Sequence, residues 1–315
     1  MKNILVIGGT GFLGSAVVRE LARRAGRCLP GTPLRGPASA DSCFTLPTRR
    51  RERAKHLLVL PTARVVEADV HDPATLARLM AGQDAVISLV GVLKGGEGEP
   101  YGPGFARAHV ELPRKIAAAA KAAGVRRVLH VSALKAAADA PSGYLRSKAA
   151  GEAALRDAGL DLTLFRPSVI FGPGDAFLTL FARLAKIAPV FPLAGADARF
   201  QPVWLEDVVA AVADSLLRSD SIGAAWDLCG PKQYSLRELV GYAAALAGHP
   251  RAVIGLPEAI AWLQAWAMEF IPNGPMTRDN IRSMRVASVC DSGCTLPFGR
   301  IATALEIVAP TYLHG

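Results

Sequence analysis

Asn3-Ile4-Leu5-Val6-Ile7-Gly8-Gly9-Thr10-Gly11-Phe12-Leu13-Gly14 is the stretch that decides how this chain folds. Residues 3–7 give an apolar run of strand length, bounded at once by glycine. Over 13–25, Leu13, Val17, Val18 and Leu21 recur at helical spacing, and Gly26 is placed to end that helix. Between strand and helix, Gly8, Gly11 and Gly14 stand three apart. Glycines in this context have separate duties: one permits the tight turn, one lets backbone approach a pyrophosphate, and one lets helix and strand pack closely. The helix start adds free N–H groups and the positive end of the peptide dipole, both suited to phosphate oxygens. Gly8, Thr10, Gly11, Phe12, Leu13 and Gly14 are therefore candidates for holding a nicotinamide dinucleotide.

Outward from this unit the alternation continues. Strands are expected at 43–46, 64–67, 84–90, 128–131 and 162–165, and helices at 73–80, 106–123 and 144–158, with a basic helix start after the second strand and a glycine-rich loop over 91–104. Strands alternating with helices imply an α/β fold, a Rossmann-type doubly wound parallel sheet. Residues 1–172 are read as its dinucleotide-binding domain, with 27–42, rich in Pro, Gly, Ala and Ser, as an irregular exposed insertion. Past Gly172 the pattern loosens to helices at 177–187, 206–217, 236–247 and 257–271 and a strand at 225–228. That is read as a smaller, mostly helical C-terminal α/β lobe over 173–315, from which 200–230 returns to the first domain.

With 315 residues and 51% hydrophobic content, the chain can bury a large core. Its mean hydropathy is +0.26, yet no apolar run reaches the roughly 20 residues of a spanning helix, so no transmembrane segment is expected. Met1-Lys2-Asn3 runs straight into the first strand without a secretory apolar region. Five cysteines (Cys28, Cys43, Cys229, Cys290, Cys294) are odd in number and scattered, implying a reducing, cytoplasmic setting and no disulfide framework. Cys290 and Cys294 lack partners at zinc-ligand spacing, so no metal is expected. The net charge of +9 suits an anionic cofactor; the dense basic run, 49–55, has no interleaved aromatics and does not point to nucleic acid.

Which dinucleotide is bound is decided after the second strand, where an acid holds the ribose 2′-hydroxyl of NAD and arginine meets the 2′-phosphate of NADP. Here Phe44-Thr45-Leu46-Pro47 continues into Thr48-Arg49-Arg50-Arg51 without an acid. Guanidinium grips phosphate bidentately, so Arg49 and Arg50 favour NADP(H) over NAD(H); a solvated helix start is the plainer alternative. Asp69, followed by Val70 at the third strand's end, is placed to accept from the adenine amine, and Asp72 to cap a helix. Leu89, Val90 and Gly91 at the end of the fourth strand complete this part of the candidate set.

Tyr144-Leu145-Arg146-Ser147-Lys148 puts a phenol and an ammonium four apart, on one helical face. A Lys cation beside a phenol favours phenolate, so the Tyr144 pKa is expected to fall, with Lys148 also reaching the nicotinamide ribose. Ser132, after the fifth strand, either bonds a substrate oxygen or is a strand-end hydroxyl bonding backbone.

The glycine loop, Asp69-Val70, Asp84-Ala85-Val86, Tyr144–Lys148 with Ala150-Gly151-Glu152, and Arg166-Pro167-Ser168 with Ile170-Phe171-Gly172 resemble the short-chain dehydrogenase/reductase superfamily, in the extended or atypical branch that includes sugar-nucleotide epimerases and dehydratases. Within it, residues 144–152, Pro173-Gly174-Asp175-Ala176-Phe177 and Met276-Thr277-Arg278-Asp279-Asn280 resemble the NAD(P)-binding accessory subunit of respiratory complex I and its free bacterial relatives, over nearly the whole chain except 27–42. The resemblance implies Pro167 and Ser168 beside the nicotinamide. It also implies a dinucleotide that is often structural, with no fixed substrate. The branch's usual serine lies farther before the Tyr than Ser132 does.

Two functions stay open: an NADP(H)-dependent oxidoreductase or epimerase acting on an unknown small molecule, and a cofactor-stiffened protein tied to a respiratory or quinone-related assembly, cytoplasmic or peripheral at the inner face of the membrane. An open polar space beside Tyr144 favours the first; an apolar one with a broad exposed hydrophobic patch favours the second. His109 and His130 are read as structural, and Asp207 as a helix cap. The helix carrying Trp262 and Trp266 either packs on the small lobe or presents a surface to a membrane, an apolar ligand or a partner protein.

Overall fold

Alternation within β1 (Asn3–Ile7) sends Ile4 and Val6 to one side and Leu5 and Ile7 to the other, and all four are fully buried. A strand apolar on both sides belongs inside a sheet covered by helices on both faces. The computed structural model has that architecture; it describes residues 1–25, 43–271, 274, 276–291 and 295–314. The Gly26 helix stop, the 27–42 insertion, Cys28 and Cys294 lie outside the described residues.

After β1 come α1 (Phe12–Ala25), β2 (Cys43–Thr48), β3 (Ala63–Glu67), α2 (Pro73–Met80), β4 (Ala85–Ser88), α3 (Pro103–Phe105), a π-helical turn (Ala106–Glu111), α4 (Leu112–Ala123), β5 (Arg127–Val131), α5 (Gly143–Arg156) and β6 (Asp161–Pro167). The chain continues through β7 (Ile170–Phe171), α6 (Leu178–Ala185), β8 (Val190–Leu193), β9 (Arg199–Phe200), β10 (Val203–Trp204), α7 (Leu205–Ser215), β11 (Ala225–Leu228), β12 (Tyr234–Ser235), α8 (Leu236–Leu246), β13 (Ala252–Gly255), α9 (Glu258–Glu269), α10 (Arg278–Ser283) and α11 (Leu305–Val308).

Seven strands pair in parallel in the order β3-β2-β1-β4-β5-β6-β11. The order reverses between β1 and β4, and a crevice opens at such a switch point beyond the carboxyl ends of the strands. Every candidate segment that follows β1 to β6 therefore reaches the same edge of the sheet. Ile4 and Val6 pack under Val17, Val18 and Leu21 of α1 and Val208, Val209 and Val212 of α7. Leu5 and Ile7 pack under Leu76 and Met80 of α2, Ile116 of α4 and Leu155 of α5. Burying each such side chain contributes about 1.5–3 kcal/mol. Asp72 caps α2 as its sequence suggested, accepting from Thr75 N at 2.9 Å ahead of Pro73.

Three readings are corrected. β2 runs through Pro47 to Thr48 rather than stopping at residue 46. Its pairing with β1 ends at Thr45 while that with β3 continues to Thr48, so the missing N–H of Pro47 falls where the neighbouring chain has already turned away. Asp207 caps nothing: its carboxylate accepts from Thr303 N (2.7 Å) and Thr303 Oγ1 (3.2 Å), tying α7 to the C-terminal segment. Cys229 and Cys290 form a disulfide, 61 residues apart in sequence, because the end of β11 and the segment around Cys290 meet at Gln201, which donates to Gly230 O and accepts from Cys290 N. Cys43 is a free thiol.

Past β7, α6 packs against α8 beside the parallel pair β8–β13. Among the described residues no helix is long and apolar enough to cross a membrane.

Candidate functional site

The glycine loop has the geometry its spacing implies. Gly8 sits at φ +88°, and a Cβ there would lie 3.0 Å from Leu89 C, so the turn presses against the end of β4. A Cβ on Gly14 would lie 2.1 Å from Gly8 O and 2.7 Å from Gly9 Cα; this glycine lets α1 begin against the loop. A Cβ on exposed Gly11 would meet Gly8 O alone, at 3.4 Å, so one side of the loop is open. That open cradle, at the start of a 14-residue helix, fits a pyrophosphate. Thr10, Phe12 and Leu13 flank it, partly exposed.

Arg49 and Arg50 follow β2 and are exposed, beside the strand that leads into the glycine loop. Asp69 follows β3; its Oδ1 accepts from His71 N at 2.9 Å and its Oδ2 lies 3.7 Å from Arg107. Val70 packs under the sheet with Val90.

The Tyr/Lys pair lies on α5. Lys148 is buried, with Nζ 3.3 Å from Val131 O and 3.5 Å from Val90 O, and a Cβ on Gly91 would lie 3.4 Å from it. An ammonium has three protons to donate, and two are spent here on long bonds to backbone. Burial lowers its pKa to about 8, opposed by Glu152 one turn on. Glu152 is held by Arg166 of β6 through a bidentate pair at 2.5 and 2.9 Å.

The expected fall in the Tyr144 pKa is overturned. Lys148 is drawn to the backbone of β4 and β5, while the Tyr144 ring lies against His109 and Phe105, at 5.6 and 5.9 Å between centroids. This crowding desolvates the phenol and pushes its pKa up to about 12. Its hydroxyl has no hydrogen-bond partner among the described residues and keeps its proton near neutrality.

Ser132 is buried, and its hydroxyl bonds neither side chain nor backbone among the described residues, as is also true of Nδ1 of His130. Buried polar atoms are normally hydrogen-bonded, so these two at the end of β5 fit the polar atoms of a bound group. Pro167 ends β6, and Ser168 Oγ donates to Ser288 O at 2.8 Å.

Two further residues, His109, read above as structural, and Asp279, quoted above only within the 276–280 stretch, organise this end. His109, in the π-helical turn, accepts from Val92 N at 3.0 Å, so its Nδ1 carries the proton and donates to Ser147 Oγ at 2.9 Å. Ser147 passes the bond on to Tyr144 O at 2.7 Å. Burial, more than the nearby Lys148, lowers the His109 pKa to about 2 and keeps it neutral. Asp279 of α10 accepts from Gly143 N and Tyr144 N, joining Ser142, which accepts from Leu145 N, in capping α5. A separate cavity of about 470 Å³, between Ala196, Arg237, Leu256 and Met284, contains none of the candidate residues.

A family model described as NAD(P)H-binding matches residues 38–174. The ceramide reductase of Caulobacter vibrioides is 31% identical over 271 residues, which span 84% of this chain and 78% of that protein. The chain belongs to the NAD(P)H-binding short-chain dehydrogenase/reductase superfamily. This short-chain dehydrogenase/reductase also matches NADH dehydrogenase (ubiquinone) 1 alpha subcomplex subunit 9, mitochondrial, of Rattus norvegicus, with 35% identity over 239 residues, 75% of this chain and 59% of that one. The same subunit of Arabidopsis thaliana is 32% identical over 275 residues, 85% of this chain and 63% of that one. The chain thus spans about three fifths of the length of those subunits. In fold, the dehydrogenase/reductase is similar to an NADPH-dependent quinone oxidoreductase from Escherichia coli complexed with NADPH (TM-score 0.74, 23% identity, 98% and 99% of the two chains). It is similar as well to a UDP-glucuronic acid 4-epimerase from Bacillus cereus with NAD (TM-score 0.71, 14% identity, 99% and 98%).

Proposed function

We propose that this protein binds NADP(H) along the carboxyl edge of its sheet and reduces the carbonyl group of an apolar compound, with Tyr144 as the proton donor. One observation carries the reading: a phenol whose hydroxyl has no hydrogen-bond partner among the described residues stands four residues from an ammonium held against Val90 O and Val131 O. The glycine loop from Gly8 to Gly14 would hold the pyrophosphate, with Leu89, Val90 and Gly91 closing its inner side and Asp69 on the adenosine side. Arg49 and Arg50 would meet the 2′-phosphate. The spare proton of Lys148 would go to the nicotinamide ribose. Ser132 would bond the substrate oxygen, with Pro167 and Ser168 bordering the ring. When bound, a nicotinamide cofactor supplies hydride. What the chain adds is a neutral phenol to protonate the oxygen and an apolar wall, Phe105 and His109, that sheds water. The relative named for reducing a ceramide supports a lipid-like carbonyl.

The reading carries a division of labour. Residues 1–172, joined by 200–230, form the dinucleotide unit, and 173–315 the substrate or partner lobe. The protein works peripherally at a respiratory membrane.

A second reading keeps the dinucleotide as a structural element in a respiratory or quinone-related assembly, favoured by the similarity to two mitochondrial complex I subunits. Tyr144→Phe separates the two. In the first it leaves NADPH binding intact and lowers turnover of long-chain carbonyl substrates by roughly a hundredfold or more. In the second the variant fully rescues a deletion strain.

A further inference from the structure

Large apolar side chains of a surface helix normally face the core. α9 is reversed. Its buried residues are Ala261 and Ala265, packed near Ala194 and Ile281, while Ile260, Leu263, Trp266, Phe270 and Ile271, the last two just beyond its end, stand 47–71% exposed. Trp266 and Phe270 meet edge to face at 5.1 Å. The apolar face continues onto the strand pair: Gln264 donates to Pro192 O at 3.0 Å, and exposed Pro192 is the register partner of Ile254, itself 54% exposed.

The segments that flank this face, α6 with β8 and the run leading into β13, carry charges of one sign. No Asp or Glu occurs between Ala176 and Ala196 or between Leu239 and Pro257, the segments that contribute α6, β8 and β13. Their cations are Arg183, Lys186 and Arg251, and Arg251 donates to Ala185 O at the end of α6, which sets it beside Lys186. None of the three pairs with a carboxylate among the described residues. The acids of α9 itself are neutralised, Glu258 by Arg285 at 2.7 Å and Glu269 by Arg278 at 2.9 Å. Ile187, beside Lys186, is 80% exposed.

We infer that this end of the smaller lobe docks on an anionic phospholipid surface, with α9 lying in the plane of the interface and Arg183, Lys186 and Arg251 on headgroup phosphates. Helices that lie on membranes carry Trp, Phe and Leu on the buried side and recruit Lys and Arg for anionic lipid. A second copy of the chain fits less well, because a two-fold contact sets a patch against itself, and the acids of α9 that could meet these cations, Glu258 and Glu269, are already paired with Arg285 and Arg278. The docking deepens the peripheral placement proposed above, and it would set the reductase-type site close to a lipid-soluble substrate.

The test is co-sedimentation of the full chain with vesicles of phosphatidylcholine alone and of phosphatidylcholine with phosphatidylglycerol in a two-to-one ratio. The protein should pellet with the mixed vesicles, its tryptophan fluorescence should be quenched by brominated lipid, and added salt should release it. Leu263→Glu and Phe270→Glu, each at an exposed position, should abolish pelleting with unchanged thermal melts. Arg183→Ala and Lys186→Ala should each weaken it about fivefold. NADPH affinity, measured on the same samples, should not change, so a failure of docking is distinct from a failure of the dinucleotide reading. Protein left in the supernatant with both vesicles would overturn the inference. So would equal binding to phosphatidylcholine alone, undiminished binding by both glutamate variants, or a dimer that Leu263→Glu converts to monomer.

Discussion

Asp279 holds the backbone of Tyr144: its Oδ2 accepts from Tyr144 N at 3.0 Å while its Oδ1 accepts from Gly143 N at 2.7 Å. α10, far along the chain, thereby fixes the start of the helix that carries the Tyr/Lys pair. α10 is itself braced by a reciprocal cap between Thr277 and Asn280, and its Arg282 pairs at 3.0 Å with Glu97 in the loop after β4. Asp279→Ala leaves a buried and a part-buried amide without this acceptor and is expected to lower stability by about 1–2 kcal/mol, a typical cost for a lost cap. Asp279→Asn should recover part of it. Urea denaturation checks both; an unchanged midpoint for the alanine variant would remove Asp279 from this role.

Two glycines of the loop are expected to fail in different ways. Gly14→Ala drives a methyl to 2.1 Å from Gly8 O, against backbone that has nowhere to move, so the thermal midpoint should drop sharply. Gly11→Val places its side chain in the open cradle and should abolish dinucleotide binding while the fold survives. Paired melting curves and calorimetry read this contrast, and equal losses of stability would contradict it.

The strand, turn and helix around the glycine loop were legible because period and turn chemistry are local, and so was the parallel sheet, because alternating elements leave few other topologies. Pro73–Met80 carries its own start signal, an Asp cap ahead of Pro. What stayed hidden is made by distant segments. Nothing in the spacing of Cys229 and Cys290 shows that β11 and the residues near Gln201 converge. Asp279 stands in a stretch quoted for the resemblance, yet its hold on α5 shows only once α10 is seen at the end of that helix. The Tyr144 pKa went the wrong way for the same reason: the one-dimensional pattern supplies Lys148 but not the backbone carbonyls that take its protons, nor the rings that dry the phenol.

Lys148 sets a pH dependence whose sign follows from its lowered pKa. The folded chain releases this proton near pH 8, whereas an unfolded lysine keeps it to about 10.4. Between those values the unfolded state binds more protons, so this group makes stability rise with pH there. Lys148→Met removes the contribution. The difference between parent and variant stabilities, followed by urea denaturation across that window, should change in the parent's favour as pH rises; a flat difference would place the ammonium in an ordinary, solvated setting.

The most direct measurement is calorimetric titration of NADPH and NADH into the purified chain and into the Arg49→Ala/Arg50→Ala variant. NADPH should bind the parent more tightly than NADH by about tenfold or more, as a charge-assisted contact to the 2′-phosphate implies, and the double variant should lose that preference while still binding NADH. Tighter binding of NADH by the parent, or an NADPH preference that survives loss of both arginines, would contradict the site described here.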